Sequence, residues 1–176
     1  MLSYLLLTLA VIVILLLVLI ARQPDQFRVE RSAFMAAPAE AVFVQVNDFH
    51  NWPQWSPWAR RDPAMRVDYQ GADAGVGAVY RWSGNKAVGE GSATIIESRA
   101  SERVRILLDF LKPFKASNEA LFSFAEELGG TRVSWSMSGH KNFMAKAAHL
   151  LMDMDKLIGG DFEQGLEQLR QVVEKA

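Results

Sequence analysis

Hydrophobic and polar residues alternate along six short runs between residues 65 and 137, and this alternation is the clearest pattern of the chain. In the last run, for example, Val133, Trp135 and Met137 alternate with arginine and serine. A period of two gives a strand one buried face and one wet face, which is typical of an antiparallel sheet. Glycine, proline and asparagine stand between the runs, as expected for turns. The runs cover residues 65–70, 78–83, 88–98, 103–110, 120–124 and 132–137.

A helical pattern follows the strand-like runs. Apolar residues recur every three or four positions over residues 143–173, which indicates a helix with one face packed on the sheet. Gly159-Gly160 interrupts this pattern, and Asp161 is suited to cap a new start. We therefore expect a short helix over 143–157 and a longer one over 162–175.

The residues before the six runs predict one more strand and one or two helices. Residues 27–35 read as a strand whose alternation slips near Arg31, which predicts a bulge. Pro38 opens a helix that ends at Asn47. Residues 50–58 contain two prolines and predict a turn or a short second helix.

Residues 1–21 form an uncharged and almost wholly apolar segment. At about 1.5 Å per residue, a helix of this length spans about 30 Å, the thickness of the hydrocarbon core of a bilayer. The alternative is a cleaved signal peptide, which begins with basic residues and has a shorter apolar stretch. We therefore interpret the segment as a retained, single-pass transmembrane anchor. Arg22, Arg28 and Arg31 follow it, and the positive-inside rule then places the domain on the cytoplasmic side of the membrane.

Composition narrows the class of protein further. Residues 22–26 form a short linker, and residues 27–176 have the length of one domain. A net charge of −1 gives no support for a nucleic-acid partner, and the lack of cysteine excludes disulfides and thiol nucleophiles. His149 and Asp153 have a helical spacing that could share a metal, but such a pair is usually a surface hydrogen bond. We therefore predict neither a metal nor a cofactor.

The chain contains five short motifs: Ala37-Pro38-Ala39-Glu40-Ala41-Val42-Phe43, Trp52-x-x-Trp55-Ser56-Pro57-Trp58, Gly75-Val76-Gly77-Ala78-x-Tyr80-x-Trp82, Gly89-Glu90-Gly91 and Gly130-Thr131-Arg132-Val133-x-Trp135. These motifs resemble those of the SRPBCC superfamily, which includes START-like lipid carriers and the polyketide cyclase/dehydrase and lipid-transport family. The order strand, helix, short helix, six strands, long helix is that of its helix-grip fold. The resemblance covers about residues 27–175. It implies an α+β fold in which a curved antiparallel sheet surrounds a C-terminal helix, here preceded by a transmembrane helix.

The resemblance also implies a cavity between sheet and helix. The alternation alone favours a packed core without a cavity, whereas members of this fold usually enclose one. We expect the cavity to hold an apolar small molecule, such as a lipid or an isoprenoid-like compound, so that the protein is a membrane-anchored binding module. The residues expected to line the ligand are Tyr80, Trp82, Glu90, Phe110, Phe122, Phe124, Trp135, Met137 and Phe143.

Glycine flanks Glu90 on both sides, which lets a bulky group approach the backbone there. If Glu90 points inward, burial raises its pKa and suits it to acid/base work; if it points outward, it is an ordinary surface residue. A cyclase/dehydrase-like enzyme that uses Glu90 or Tyr80 as acid/base is therefore the alternative function. A structural role, with the cavity filled by side chains, is a third possibility. We assign no catalytic residue.

The loops after the second, fourth and sixth runs meet at one end of an up-and-down sheet. They combine lysines with exposed apolar residues, which suits an anionic membrane surface. We expect this rim to surround the mouth of the cavity and to contact lipid headgroups; a solvated loop end is the alternative. The predicted membrane-contact residues are Lys112, Phe114, Lys115, Lys141 and Lys146.

Overall fold

The computed structural model describes residues 1–151 and 153–175, apart from the side chains of His149 and Leu151. Seven antiparallel strands form one sheet in the order β1-β7-β6-β5-β4-β3-β2. The strands are β1 (Gln26–Met35), β2 (Arg66–Gly71), β3 (Ala78–Ser83), β4 (Glu90–Arg99), β5 (Arg103–Lys112), β6 (Ala116–Glu127) and β7 (Gly130–His140). The helices are α1 (Leu2–Ala21), α2 (Ala39–Asn47), α3 (Pro57–Arg61), α4 (Phe143–Leu151) and α5 (Met154–Val173), and a 3-10 helix covers Phe49–Gln54. The predicted helix-grip architecture is confirmed.

The inner face of the curved sheet packs against α5 and α2. Helix α5 presents Phe162, Leu166 and Leu169, each no more than 2% exposed, to the sheet. Helix α2 buries Val42 and Val46 completely beside β5, β6 and β7. The apolar stripe of each helix therefore meets the apolar face of the sheet, and this burial is the main source of stability.

Strand β1 has no bulge, so the predicted irregularity near Arg31 is wrong. Its register with β7 runs without a break from Gln26–His140 to Met35–Thr131. Arg31 occupies an inward-facing position because α5 supplies two carboxylates for its guanidinium. Its Nη2 lies 2.9 Å from Oδ2 of Asp155, and its Nε lies 2.7 Å from Oε1 of Glu163.

The predicted helix break at Gly159-Gly160 is also wrong. Helix α5 runs through both glycines, and its N-cap is Asp153, whose side chain accepts a hydrogen bond from the backbone N–H of Lys156. Gly159 lies against the guanidinium of Arg31, and a Cβ at this position would clash with it. Glycine at this position therefore makes room for the guanidinium between α5 and β1 and does not end the helix.

Helix α1 is long and apolar enough to cross a membrane, a property that signal sequences share. It joins the sheet at the end of β1 that pairs with His140, and the connections β3–β4, β5–β6 and β7–α4 lie at this same end. We call it the α1 end of the sheet. Helix α1 contacts α4 there, and Ile20 in its last turn is only 7% exposed.

Lysine 146 joins α4 to the end of α1. Its ammonium group forms an ion pair with the Asp25 carboxylate and lies 3.4 Å from the carbonyl oxygen of Ala21, and its side chain is only 12% exposed. The backbone N–H of Lys141 also donates to the carbonyl of Asp25, at 2.7 Å. The hydrogen bond and charge of Lys146 lower the pKa of Asp25. Helix α1 is thus held to the domain by specific contacts and not only by the linker.

Candidate ligand-binding cavity

A cavity of about 310 Å³ lies between the inner face of the sheet and the helices that cover it. This volume is at the lower end of the range for small-molecule sites. The sheet contributes Tyr80, Trp82, Ala93, Leu108, Phe110, Asn118, Ala120, Phe122, Trp135 and Met137 to its wall. The covering segments contribute Trp52, Ser56, Trp58, Met65, Val88, Ile158, Asp161 and Phe162.

Small side chains on the middle strands create this space. The cross-strand pairings place Tyr80, Ala93, Leu108 and Asn118 in one row across β3 to β6. Ala93 on β4 and Ala120 on β6 leave room above the sheet, whereas the positions beyond them carry larger residues such as Ile95 that fill the interior. The cavity therefore follows from where alanine stands in the sheet register.

Aromatic stacking stiffens the wall on the α5 side. The rings of Trp135 and Phe162 are parallel within 12° and have centroids 4.1 Å apart. The ring of Phe122 also stacks on Trp135, with centroids 4.7 Å apart. Gly165 lies against the six-membered edge of Trp135, and a Cβ there would come within 2.7 Å of Cζ3. Helix and sheet thus approach closely at Trp135.

The structure brings together six of the nine residues predicted to line the ligand. These are Tyr80, Trp82, Phe110, Phe122, Trp135 and Met137. Their inward direction was predicted from the alternation, and the shared cavity comes from the curvature of the sheet.

Three predicted residues do not line the cavity. Glu90 is on the outer face, because Gly91, Ala93 and Ile95 take the inward positions of β4, and its carboxylate lies 2.8 Å from Nζ of Lys112. Phe124 points inward but beyond the cavity, where its ring packs edge-on against Phe43 of α2.

Phe143 lies in α4, outside the cavity, and is 48% exposed. The sequence predicts that both C-terminal helices pack on the sheet, and this is wrong for α4, which contacts α1 instead. The side chain of His149, considered above for a metal, lies outside the described residues. Among the described residues, no cluster of His, Asp or Glu is arranged to hold a metal ion.

Several wall residues were not predicted as part of the site. Trp52, Ser56 and Trp58 come from the proline-containing segment, which has no periodicity that indicates which side chains face inward. Asn118 lies at the start of β6, two residues before the run that the alternation identified. The aromatic richness of residues 52–58 was the available signal.

The cavity is almost free of charge. Burial raises the pKa of Tyr80 to about 12, so its hydroxyl stays protonated at physiological pH. Asp161 is the carboxylate in the wall, and its two oxygens bind the guanidinium of Arg61. Oδ1 of Asn118 and Nε1 of Trp135 are buried and have no hydrogen-bond partner among the described residues.

Part of the cavity wall lies at the α1 end of the sheet. Met65, Val88 and Phe110 are half-buried wall residues at this end. The β5–β6 hairpin and α4 lie at the same end, where Leu111, Phe114 and Met144 are 49%, 72% and 65% exposed.

The predicted rim lysines share this end but differ in their surroundings. Lys112 and Lys115 flank the tip of the β5–β6 hairpin and are exposed, and Lys141 follows β7. Lys146 is largely buried by its ion pair with Asp25, so its ammonium group does not face outward as predicted.

A family model confirms the resemblance seen in the motifs. The model described as "Polyketide cyclase / dehydrase and lipid transport" matches residues 26–174. The chain belongs to this family. Its matched region contains the whole sheet and α5, and leaves α1 outside. No curated protein matches the sequence significantly.

Solved structures share the fold at low sequence identity. Protein CV1439 from Chromobacterium violaceum is 18% identical with a TM-score of 0.60, and the match covers 86% of this chain and 99% of that one. Protein SA2116 of unknown function from Staphylococcus aureus is 14% identical with a TM-score of 0.63, covering 87% and 96%. The di-domain ARO/CYC BexL from the BE-7585A biosynthetic pathway is 16% identical with a TM-score of 0.61, covering 89% of this chain and 52% of that one.

Proposed function

We propose that this family member is a membrane-anchored binding module that holds an apolar small molecule in the cavity between sheet and α5. The observation that carries the proposal is the cavity itself, about 310 Å³ in volume, with a wall made almost wholly of aromatic and aliphatic side chains. Its one carboxylate is neutralised by Arg61. Such a wall gains free energy from apolar groups and offers no counter-ion to a charged one.

The size of the cavity sets the size of the ligand part that it encloses. At roughly 30 Å³ per water-sized group, the volume holds about ten non-hydrogen atoms. Burial of about eight methylene groups contributes roughly 6 kcal/mol at ~0.8 kcal/mol each, before the cost of association is subtracted. A small apolar molecule, or one segment of a longer lipid, therefore binds without an extensive polar network.

The anchor assigned to α1 is supported by its contacts with the domain. The burial of Ile20 and the contact of the Lys146 ammonium group with the carbonyl oxygen of Ala21 connect the last turn of α1 to the domain, and a removed signal peptide would not need such contacts. We place the opening at the α1 end, where Met65, Val88 and Phe110 are half-buried wall residues, so a bilayer around α1 would lie next to the cavity. Apolar ligands partition into that bilayer, so the opening faces their reservoir.

The side of the membrane follows from the basic residues after α1. Arg22 is exposed and directly follows the span, which favours a cytoplasmic domain under the positive-inside rule. We expect protease added to intact, right-side-out spheroplasts to leave the domain uncut. The same protease should digest the domain once the spheroplasts are lysed. Digestion in intact spheroplasts would place the domain outside.

The rim at the α1 end is proposed to contact the headgroup region. Phe114, 72% exposed at the tip of the β5–β6 hairpin between Lys112 and Lys115, is its most prominent apolar residue. In nanodiscs with brominated lipids, Phe114→Trp should show quenched tryptophan fluorescence. The matched control is Leu128→Trp, because Leu128 is fully exposed on the β6–β7 turn at the opposite end of the sheet. Equal quenching at both positions would contradict the proposed contact.

The enzyme alternative retains one of its two residues. Tyr80 lines the cavity and keeps its proton, so it can donate a hydrogen bond or act as an acid, but Glu90 is on the outer face of the sheet. Asp161, the carboxylate in the wall, is held by Arg61. These positions favour binding over acid/base catalysis.

Native mass spectrometry of the full chain, released from nanodiscs of native membrane lipid, tests the binding function. The expected result is a discrete apolar adduct that solvent extraction recovers. The control is the double variant Ala93→Leu/Ala120→Leu, which fills part of the cavity and should lose the adduct while keeping nonspecifically bound lipid. An unliganded mass for the native protein, unchanged after incubation with membrane lipid extract, would refute the proposal.

A further inference from the structure

Asn118 is the most unusual residue of the cavity wall. It is only 9% exposed and lies on the inner face of β6. Its amide oxygen has no hydrogen-bond partner among the described residues. Its amide nitrogen reaches only the thioether of Met137, at 3.9 Å, which is a weak acceptor. A buried polar group left unpaired costs about 1–3 kcal/mol. Asn118 therefore destabilises the unliganded fold, and it lies in a wall that is mostly apolar.

The neighbours of Asn118 hold its amide in place. Gly139 is its cross-strand partner on β7, and the amide oxygen lies so close to Gly139 that a Cβ there would clash with it. On the other side, Leu108 of β5 and Ala93 of β4 continue the same row to Tyr80. The row thus carries an amide at one wall and a protonated hydroxyl at the other, with apolar side chains between them.

We infer that Asn118 selects a neutral ligand with a hydroxyl group, and this inference rests on the proposed binding function of the cavity. A hydroxyl both donates and accepts, so it satisfies the amide oxygen of Asn118 and accepts a bond from the amide N–H₂ or from Tyr80. An ether or ester accepts only, and leaves the amide oxygen unpaired. A carboxylate meets no free cation in the described wall, because Arg61 already binds Asp161.

Three probes of nearly equal size separate these possibilities. Octan-1-ol and 1-methoxyheptane have the same number of non-hydrogen atoms, and octanoate is one atom larger; all are close to the capacity of the cavity. Binding is measured with the full chain in nanodiscs, by the change in fluorescence of the wall tryptophans Trp52, Trp58, Trp82 and Trp135, and corrected for partitioning of each probe into empty nanodiscs.

We expect octan-1-ol to bind with about three- to tenfold higher affinity than 1-methoxyheptane, which is the effect of one additional hydrogen bond. Octanoate at pH 8 should bind more weakly than both. Asn118→Leu, which keeps the number of non-hydrogen atoms and removes the amide, should remove the preference for the alcohol. Ser117→Ala, on the exposed face of the same strand, should keep it.

The outcomes distinguish this inference from the proposed function. If the native protein binds alcohol and ether equally, or if Asn118→Leu weakens both to the same extent, the role of Asn118 is refuted while the binding function stands. Tighter binding of octanoate than of octan-1-ol would also refute it. If none of the three probes binds the native protein, the proposed binding function fails together with it.

Discussion

Filling the cavity with a larger side chain tests whether the space between sheet and helix exists in the folded protein. Ala93 is fully buried in the cavity wall, and Ala93→Leu adds three carbon atoms there. At roughly 30 Å³ per carbon, they take up about 90 Å³ of a cavity of about 310 Å³. Their burial stabilises the fold by about 2 kcal/mol at ~0.8 kcal/mol per methylene, reduced by any rotamer strain.

The matched control is Ala78→Leu on the neighbouring strand β3. Ala78 is 1% exposed and faces inward, but it is not part of the cavity wall. Three extra carbons in close-packed surroundings force shifts of side chains and backbone, which cost typically 1–3 kcal/mol. The two variants therefore have opposite expected signs although the chemical change is the same.

The assay is denaturant unfolding of the full chain in detergent, followed by tryptophan fluorescence. Ala93→Leu should leave the free energy of unfolding unchanged or raise it by up to about 2 kcal/mol, and Ala78→Leu should lower it. The slope with denaturant should stay the same in both variants, since the exposed area on unfolding hardly changes. An Ala93→Leu variant destabilised as much as Ala78→Leu would show that side chains fill the space, as in the structural alternative.

Three further perturbations have defined outcomes. Gly91→Ala places a methyl group 2.6 Å from the indole of Trp82 and should lower the free energy of unfolding by about 1–3 kcal/mol in a denaturant titration. Gly160→Ala, at a helix position with open space around it, should raise that free energy by about 0.5–1 kcal/mol. Equal effects of the two substitutions would contradict the packing at β4. Lys146→Ala removes the ion pair with Asp25 and should speed hydrogen exchange in α4 without changing the sheet, and unchanged exchange would mean that the pair does not hold α4 to α1. The pKa of Tyr80 in the folded protein, about 12, lies above the ordinary value of 10.0, so its contribution to stability is complete below pH 10 and is lost between about pH 10 and 12. In a titration of phenolate absorbance, Tyr80→Phe should abolish the step at the highest pH. Titration of Tyr80 near pH 10 in the native protein would contradict its burial.

The alternation of apolar residues predicted the sheet well because burial of one face is a local property of a strand. All six runs from residue 65 onward became strands, and six of the nine predicted ligand residues line the cavity. The same rule, applied through the whole of β4, already indicated that Glu90 faces outward, since it shares its parity with the polar Ser92 and Thr94. The glycines on either side of Glu90 have packing roles instead: Gly91 makes room for the indole of Trp82, and Gly89 has a φ of +72° and lies against the carbonyl of Lys112.

The errors at Arg31 and Gly159 have one cause. Each residue breaks the local pattern of its own element, as an arginine on an inward face and a glycine inside a helix. The two residues lie against each other in the fold, where Gly159 makes room for the guanidinium and α5 supplies its carboxylates. A compensation between positions more than one hundred residues apart has no signature in either local pattern.

The sequence by itself determined the α+β class, the antiparallel sheet, the apolar N-terminal helix and the absence of thiol chemistry, because periodicity and composition act within short segments. Only the tertiary structure decided that Trp52, Asn118, Trp135 and Phe162 meet around one cavity and that Lys146 faces Asp25 rather than solvent. These features depend on strand register and on the approach of distant segments. Their energies come from contacts that exist only when the sheet has curved around α5.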